Sequence, residues 1–174
     1  MSELVPTSDL ERQFTDIVAK YDQTREVTTE EVARSKATQQ KFSAGTLSDV
    51  LPKIHSEAAL IRRVSQTDYY FLPENTHPSY VTECICLREE KDLDEADSPV
   101  KTTLIFKSNP HSDETDSTRT VKSVTVPEGM VGAYTMLELL EDSFGEPYAQ
   151  IYKERRMFLG SDANIYLDSN VIAT

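Results

Sequence analysis

Lys153 and Arg155 stand two residues apart in QIYKERRMFL, the stretch from Gln150 to Leu159, which reads as a β-strand. Side chains alternate across a strand, so these two cations share a face with Ile151 and Met157, opposite Tyr152, Glu154, Arg156 and Phe158. The same alternation aligns Lys107 with Ile105 and Thr103, Arg88 with Cys86 and Cys84, and Arg119 with Val121 and Ser123. Asp168 aligns with Tyr166 and Asn164. Nearly every expected strand thus brings a cation to one face. If the sheet curls, those faces line one cavity, where the cations repel one another unless an anion sits among them. A polyphosphate suits that role, because its oxygens take charge-assisted and bidentate bonds from Lys and Arg. The plainer reading is a set of exposed strand charges that blunt sheet edges.

Other chemistries find less support. His55, His77 and His111 fall in a short helix and two loops, with no Ser or Cys pairing visible. Cys84 and Cys86 lie two apart on one strand face, too close for an ordinary bridge and too few for a metal site. They read as free core thiols of a reducing compartment. There are five glycines and no phosphate-cradling Gly loop.

The elements that must position the cations follow from periodicity and caps. Ser8 and Glu11 form a capping box, and Leu10, Phe14, Ile17, Val18 and Tyr21 then repeat at helical spacing. That amphipathic helix, roughly residues 9 to 22, packs on its own domain or on a partner, the former being the commoner use of such a face. Thr28 and Glu31 make a second capping box. The stretch from Thr29 to Ala44 fits a helix stopping before Gly45, yet the alternation from Ala37 to Phe42 fits a polar strand, and both readings stay open. Leu47 to Ile54 suggests a short helix limited by Pro52, which Ala58 to Leu60 could extend. Strands are expected over residues 64–72, 80–88, 100–107 and 118–126, with an acidic connector at 89–97 and a polar loop at 108–117. Pro73, Asn75 and Pro78 break the first of them. A helix begins at Pro127 and Glu128 and ends at Gly145, with Pro147 preventing its return. Two strands, 150–159 and 164–171, follow as a hairpin joined by a Gly-Ser-Asp turn. The order describes an α+β fold with an antiparallel sheet or barrel, N-terminal helices and one helix before the C-terminal hairpin.

With 174 residues, 38% hydrophobic and 28% charged, the chain suits one globular domain. The net charge of −12 argues against a general nucleic-acid surface, which draws its affinity from basic side chains on phosphates. The N-terminus lacks a signal-peptide pattern, and no apolar run approaches the ~20 residues that span a bilayer. A soluble, cytoplasmic protein is expected.

The stretch from Leu137 to Val171, LELLEDSFGEPYAQIYKERRMFLGSDANIYLDSNV, resembles the CYTH domain, also called the triphosphate tunnel fold: a helix ending near Gly, a Lys-x-Arg strand, and a hairpin strand ending in Leu-Asp. SQTDYYF, Ser65 to Phe71, is similar to that family's Thr-Asp-x-Tyr-Phe strand, and TLIFKSNP, Thr103 to Pro110, to its Leu-Thr-Tyr-Lys-Gly-Pro strand. The resemblance runs over about residues 38 to 171. It implies an eight-stranded antiparallel barrel whose tunnel holds triphosphate compounds. Its members include tripolyphosphatases, thiamine triphosphatases, RNA triphosphatases and class IV adenylyl cyclases, in which glutamates hold Mg²⁺ or Mn²⁺. By motif position Lys107, Lys153 and Arg155 match the family's phosphate-gripping residues, Arg88 and Arg119 match more loosely, and Asp168 matches an acidic residue that could serve a metal.

The departures fall on the carboxylates. The family's opening Glu-x-Glu-x-Lys strand has its nearest match at Ala37, Gln39 and Lys41; LERQF, Leu10 to Phe14, is a second candidate on the expected helix. The Glu-x-Glu of the fourth strand appears as Val121 and Ser123, and no closing strand with a Glu pair precedes Thr174. An antiparallel barrel, complete or incomplete, is expected over residues 36–174 after an N-terminal helical segment at 1–35. Three functions fit. The first is a degenerate CYTH-like domain that binds a triphosphate or other phosphorylated anion with weak or no catalysis. The second is a Mg- or Mn-dependent triphosphatase or adenylyl cyclase, with Asp68, Glu83 or Asp168 replacing the usual ligands. The third is a non-catalytic scaffold that meets a protein partner through the N-terminal helix and acidic loops.

Overall fold

Ser8 accepts the Glu11 backbone N–H on its Oγ at 3.1 Å and starts α1, Asp9–Gln23. The Glu11 carboxylate pairs with Lys122 across the domain. The computed structural model that shows this describes residues 8–23, 33–38, 46–72, 83–108, 118–126, 129–161 and 163–174. The Thr28–Glu31 box, Gln39, Lys41, the Pro73–Pro78 breaker, His77, the loop at 109–117 with His111, Pro127, Glu128 and Asp162 lie outside them.

After α1 come β1 (Ala33–Thr38), α2 (Leu47–Glu57), β2 (Ala58–Phe71), β3 (Glu83–Asp92), β4 (Lys101–Ser108), β5 (Thr118–Val126), α3 (Gly129–Phe144), β6 (Ala149–Gly160) and β7 (Asn164–Ala173). The strands form one sheet in the order β1-β5-β4-β3-β2-β6-β7, antiparallel throughout. Seven strands are paired among the described residues and β1 does not meet β7, so the sheet is open rather than closed into a barrel. This is the α+β antiparallel architecture expected, with the sheet not closed into a barrel.

One open reading is decided and two boundaries differ from expectation. Within the stretch that fitted either helix or strand, residues 33–38 are strand, because β5 supplies a ladder from Ala33↔Ser123 to Thr38↔Thr118. Ala58 leaves the helix at φ −144° and opens β2 six residues early, since Ala58, Ala59 and Leu60 pair with Gly160, Leu159 and Phe158. The acidic connector begins later than expected: Glu89 to Asp92 are strand, paired with residues 64–67 of β2.

The helix-covered face carries the core. Leu10, Phe14, Ile17 and Tyr21 of α1 are buried with Met136 and Leu140 of α3 against Phe71, Leu87, Leu104, Phe106 and Val124. The α1 stripe is thus consumed within the domain, as the commoner use of an amphipathic face predicted. No helix among the described residues is long and apolar enough to cross a membrane.

α3 stops at Gly145, whose φ of +78° only glycine adopts without strain and whose N–H reaches Glu141 O at 2.8 Å. An added Cβ there meets nothing within 4 Å, so the backbone alone sets the cost of a substitution. Gly145→Ala should lose roughly 1–2 kcal/mol in urea unfolding, and Gly145→Asn less. Equal stabilities of all three proteins would show that the left-handed turn is not enforced.

Candidate functional site

The face of the sheet turned away from the α1–α3 core is where the sequence placed its cations, and cross-strand register brings four of them together. Asp68 on β2 lies opposite Arg88 on β3 and Ile151 on β6. Lys153 faces Gln66, one pleat along β2, and Arg155 faces Asp168 on β7. Lys107 on β4 is opposite Cys84 of β3 and Val121 of β5. Arg119 lies on β5 opposite Ala37, and its side chain is outside the described part of the structure.

Asp68 is the hub, with 0% of its surface exposed. Arg88 grips it with two parallel bonds, Nε to Oδ1 at 2.6 Å and Nη2 to Oδ2 at 2.8 Å. Lys153 Nζ donates to Oδ2 at 3.1 Å and Tyr70 Oη at 3.2 Å. Lys107 rests on Tyr70, 3.5 Å from its hydroxyl and 4.9 Å from its ring centroid. Toward the β7 edge, Arg155 makes a second bidentate pair with Asp168, at 2.6 and 2.7 Å, and lies 5.4 Å from the centroid of the Tyr166 ring. Lys153 Nζ stands 3.9 Å from Asp168, linking the two pairs. A neighbouring cluster joins Arg62 to Glu90 and Asp92, with the Gln66 amide donating to Glu90.

Burial pulls the Asp68 carboxyl upward, but the Arg88 bonds and the charges of Arg88, Lys153 and Lys107 outweigh it and hold the group well below the usual carboxylate range. Asp168 is lowered in the same way, burial opposing and Arg155 prevailing. Burial lowers the Lys153 ammonium, with Asp68 opposing and Arg155 and Arg88 reinforcing the fall. Burial raises the Tyr70 phenol, so it remains a neutral donor to Asp68. Neither cysteine forms a disulfide, and burial pushes the Cys86 thiol up to about 11, which makes it inert.

Chemically, the site gathers Arg88, Lys107, Lys153 and Arg155 around Asp68, Asp168 and a neutral phenol, with the Arg62–Glu90–Asp92 cluster farther along the same face. Each guanidinium keeps N–H donors beyond the two given to its aspartate, so phosphate oxygens have donors to meet. The carboxylates do not suit Mg²⁺ or Mn²⁺, which require several oxygen ligands. Both oxygens of Asp68 and of Asp168 already accept from Arg or Lys, Glu83 accepts from Ser108 Oγ at 3.3 Å, and no group of three potential ligands exists among the described residues. His55 packs edge-on against Phe158, 5.3 Å away, and takes no part in the site.

Sequence reasoning gave Asp68 only as a substitute metal ligand and missed its role as counter-ion. The signal lay in SQTDYYF, where one carboxylate sits among aromatic strand residues on the parity of Gln66 and Tyr70. A buried strand aspartate demands cations, and Arg88 and Lys153 were already assigned to a common face.

No family profile matches the chain, and no curated protein does. Among solved structures it is similar to the PH1819 protein of Pyrococcus horikoshii OT3, with a TM-score of 0.56 and 18% identity over 81% of this chain and 71% of that one. It is also similar to a candidate adenylate cyclase of Vibrio parahaemolyticus, with a TM-score of 0.49 and 14% identity over 78% and 67% of the two chains. Likeness at these identities concerns the fold alone.

Proposed function

We propose that the chain is a CYTH-like domain that binds a polyphosphorylated anion, such as a triphosphate compound, on the basic face of its open sheet, without metal-dependent turnover. The observation that carries this reading is the meeting of Arg88, Lys107, Lys153 and Arg155 around Asp68 and Asp168 on one face, beside the cluster of Arg62, Glu90 and Asp92. This grouping of cations lies within an acidic chain of net charge −12, which disfavours other surfaces for an anion. Hydrolysis in the metal-dependent manner needs oxygen ligands that are here committed to Arg and Lys, so the cations themselves must neutralise the ligand.

Calorimetric titration with tripolyphosphate, with and without Mn²⁺, tests the reading. Lys107 is the residue to remove, because it rests on a tyrosine and its loss strands no carboxylate. A charge-assisted hydrogen bond contributes about 1.5–3 kcal/mol, so Lys107→Ala should bind roughly tenfold or more weakly. Mn²⁺ should not tighten binding of the wild-type protein. Absence of heat in either condition would sink the binding proposal, and release of orthophosphate on adding Mn²⁺ would overturn its non-catalytic part.

A further inference from the structure

The two aspartates of the basic face are held differently. Asp68 is fully buried on an interior strand and bonded by Arg88, Lys153 and Tyr70 together. Asp168 lies on the edge strand β7, its side chain is 32% exposed, and its hydrogen bonds come from Arg155 alone among the described residues, with Lys153 farther off at 3.9 Å. Breaking the first arrangement would leave an uncompensated charge in the interior. Breaking the second lets a carboxylate turn toward water, where its solvation is recovered.

Arg155 is built to outlast that exchange. Its Cζ lies 5.4 Å from the Tyr166 ring centroid, two residues along β7 from Asp168, so the ring supports the guanidinium whether or not the carboxylate is in place. A carboxylate and a phosphate present the same pair of oxygens to the guanidinium fork. Asp168 therefore occupies the bidentate position that a phosphate group would take.

Resting on the anion-binding reading above, we infer that Asp168 is a resident counter-anion, which a phosphorylated ligand displaces from Arg155 when it binds while Asp68 stays in place. The carboxylate holds the empty site neutral enough to fold and competes with every incoming anion. Its removal should tighten binding, and the gain should pass through Arg155.

A double-mutant cycle reads this directly. Tripolyphosphate affinity is measured by calorimetry at one ionic strength for the wild type, Asp168→Asn, Arg155→Ala and the double variant. Asp168→Ser is included as a second neutral substitution, and thermal unfolding by circular dichroism establishes that each protein is folded. Asp168→Asn and Asp168→Ser should bind about tenfold more tightly than wild type. In the Arg155→Ala background the same substitutions should change affinity less than about twofold, which leaves only their general effect on net charge. Equal gains in both backgrounds would overturn it and leave the anion-binding reading intact. No binding by any folded variant would overturn both.

Discussion

Asp68→Asn is expected to destabilise the fold by about 3–5 kcal/mol, because it strands Arg88 and Lys153 around a buried neutral amide. For a chain of this length that is a fall of roughly 10 °C in Tm. The pH dependence follows from the direction of the carboxyl's shift. Its folded value lies below the ordinary 3.8, so the stability it contributes is fully present above the unfolded value and is lost as pH falls through the folded one. Wild-type stability should hold down to about pH 5 and then fall in stronger acid. Asp168 and Asp92 are lowered too and titrate in the same window, so the variant should keep a shallower acid slope rather than none. Urea unfolding of both proteins between about pH 2 and pH 7 measures the difference. A loss under about 1 kcal/mol at neutral pH would mean that solvent, not Asp68, balances the two cations.

Phe14→Ala should cost a similar amount, about 3–5 kcal/mol. Phe14 is 2% exposed, its ring centroid 6.1 Å from that of Phe106, and it joins α1 to the sheet at the centre of the core. Truncation leaves a cavity bounded by strands that cannot relax into it without breaking ladder pairs. The measurement is again urea unfolding, with the m-value showing whether α1 detaches before the sheet melts. A near-silent substitution would show that the helix contributes little packing and would reopen its apolar face to an external partner. Paired with Asp68→Asn, this variant separates the two faces of the sheet: Phe14→Ala should leave tripolyphosphate affinity unchanged once the protein is folded, whereas Lys107→Ala should lower affinity with little change in stability.

Much of this arrangement was legible in the chain because it is decided within a few residues. The Ser8 cap, the apolar stripe of α1 and the stop at Gly145 each depend on neighbours one turn away. The two-residue period of a strand was enough to put Lys153 with Arg155, and Lys107 with Ile105, on a common face. That Ala37, Val121 and Ser123 carry no carboxylate is likewise read directly from the chain.

Tertiary structure decided the rest. Residues 33–38 could be helix or strand until β5 offered a ladder, and β2 began early because β6 was there to pair with it. The pairing of cations with carboxylates was not visible either, since Arg88 and Lys153 lie 20 and 85 residues from Asp68. Those meetings depend on the register between strands, which the helices select by packing the apolar face. A slip of one residue in β2 would turn Asp68 into the apolar core and leave Arg88 and Lys153 without it. The period of each strand is a property of its own residues, but register is a property of pairs of strands, and the electrostatics of this face are set by register.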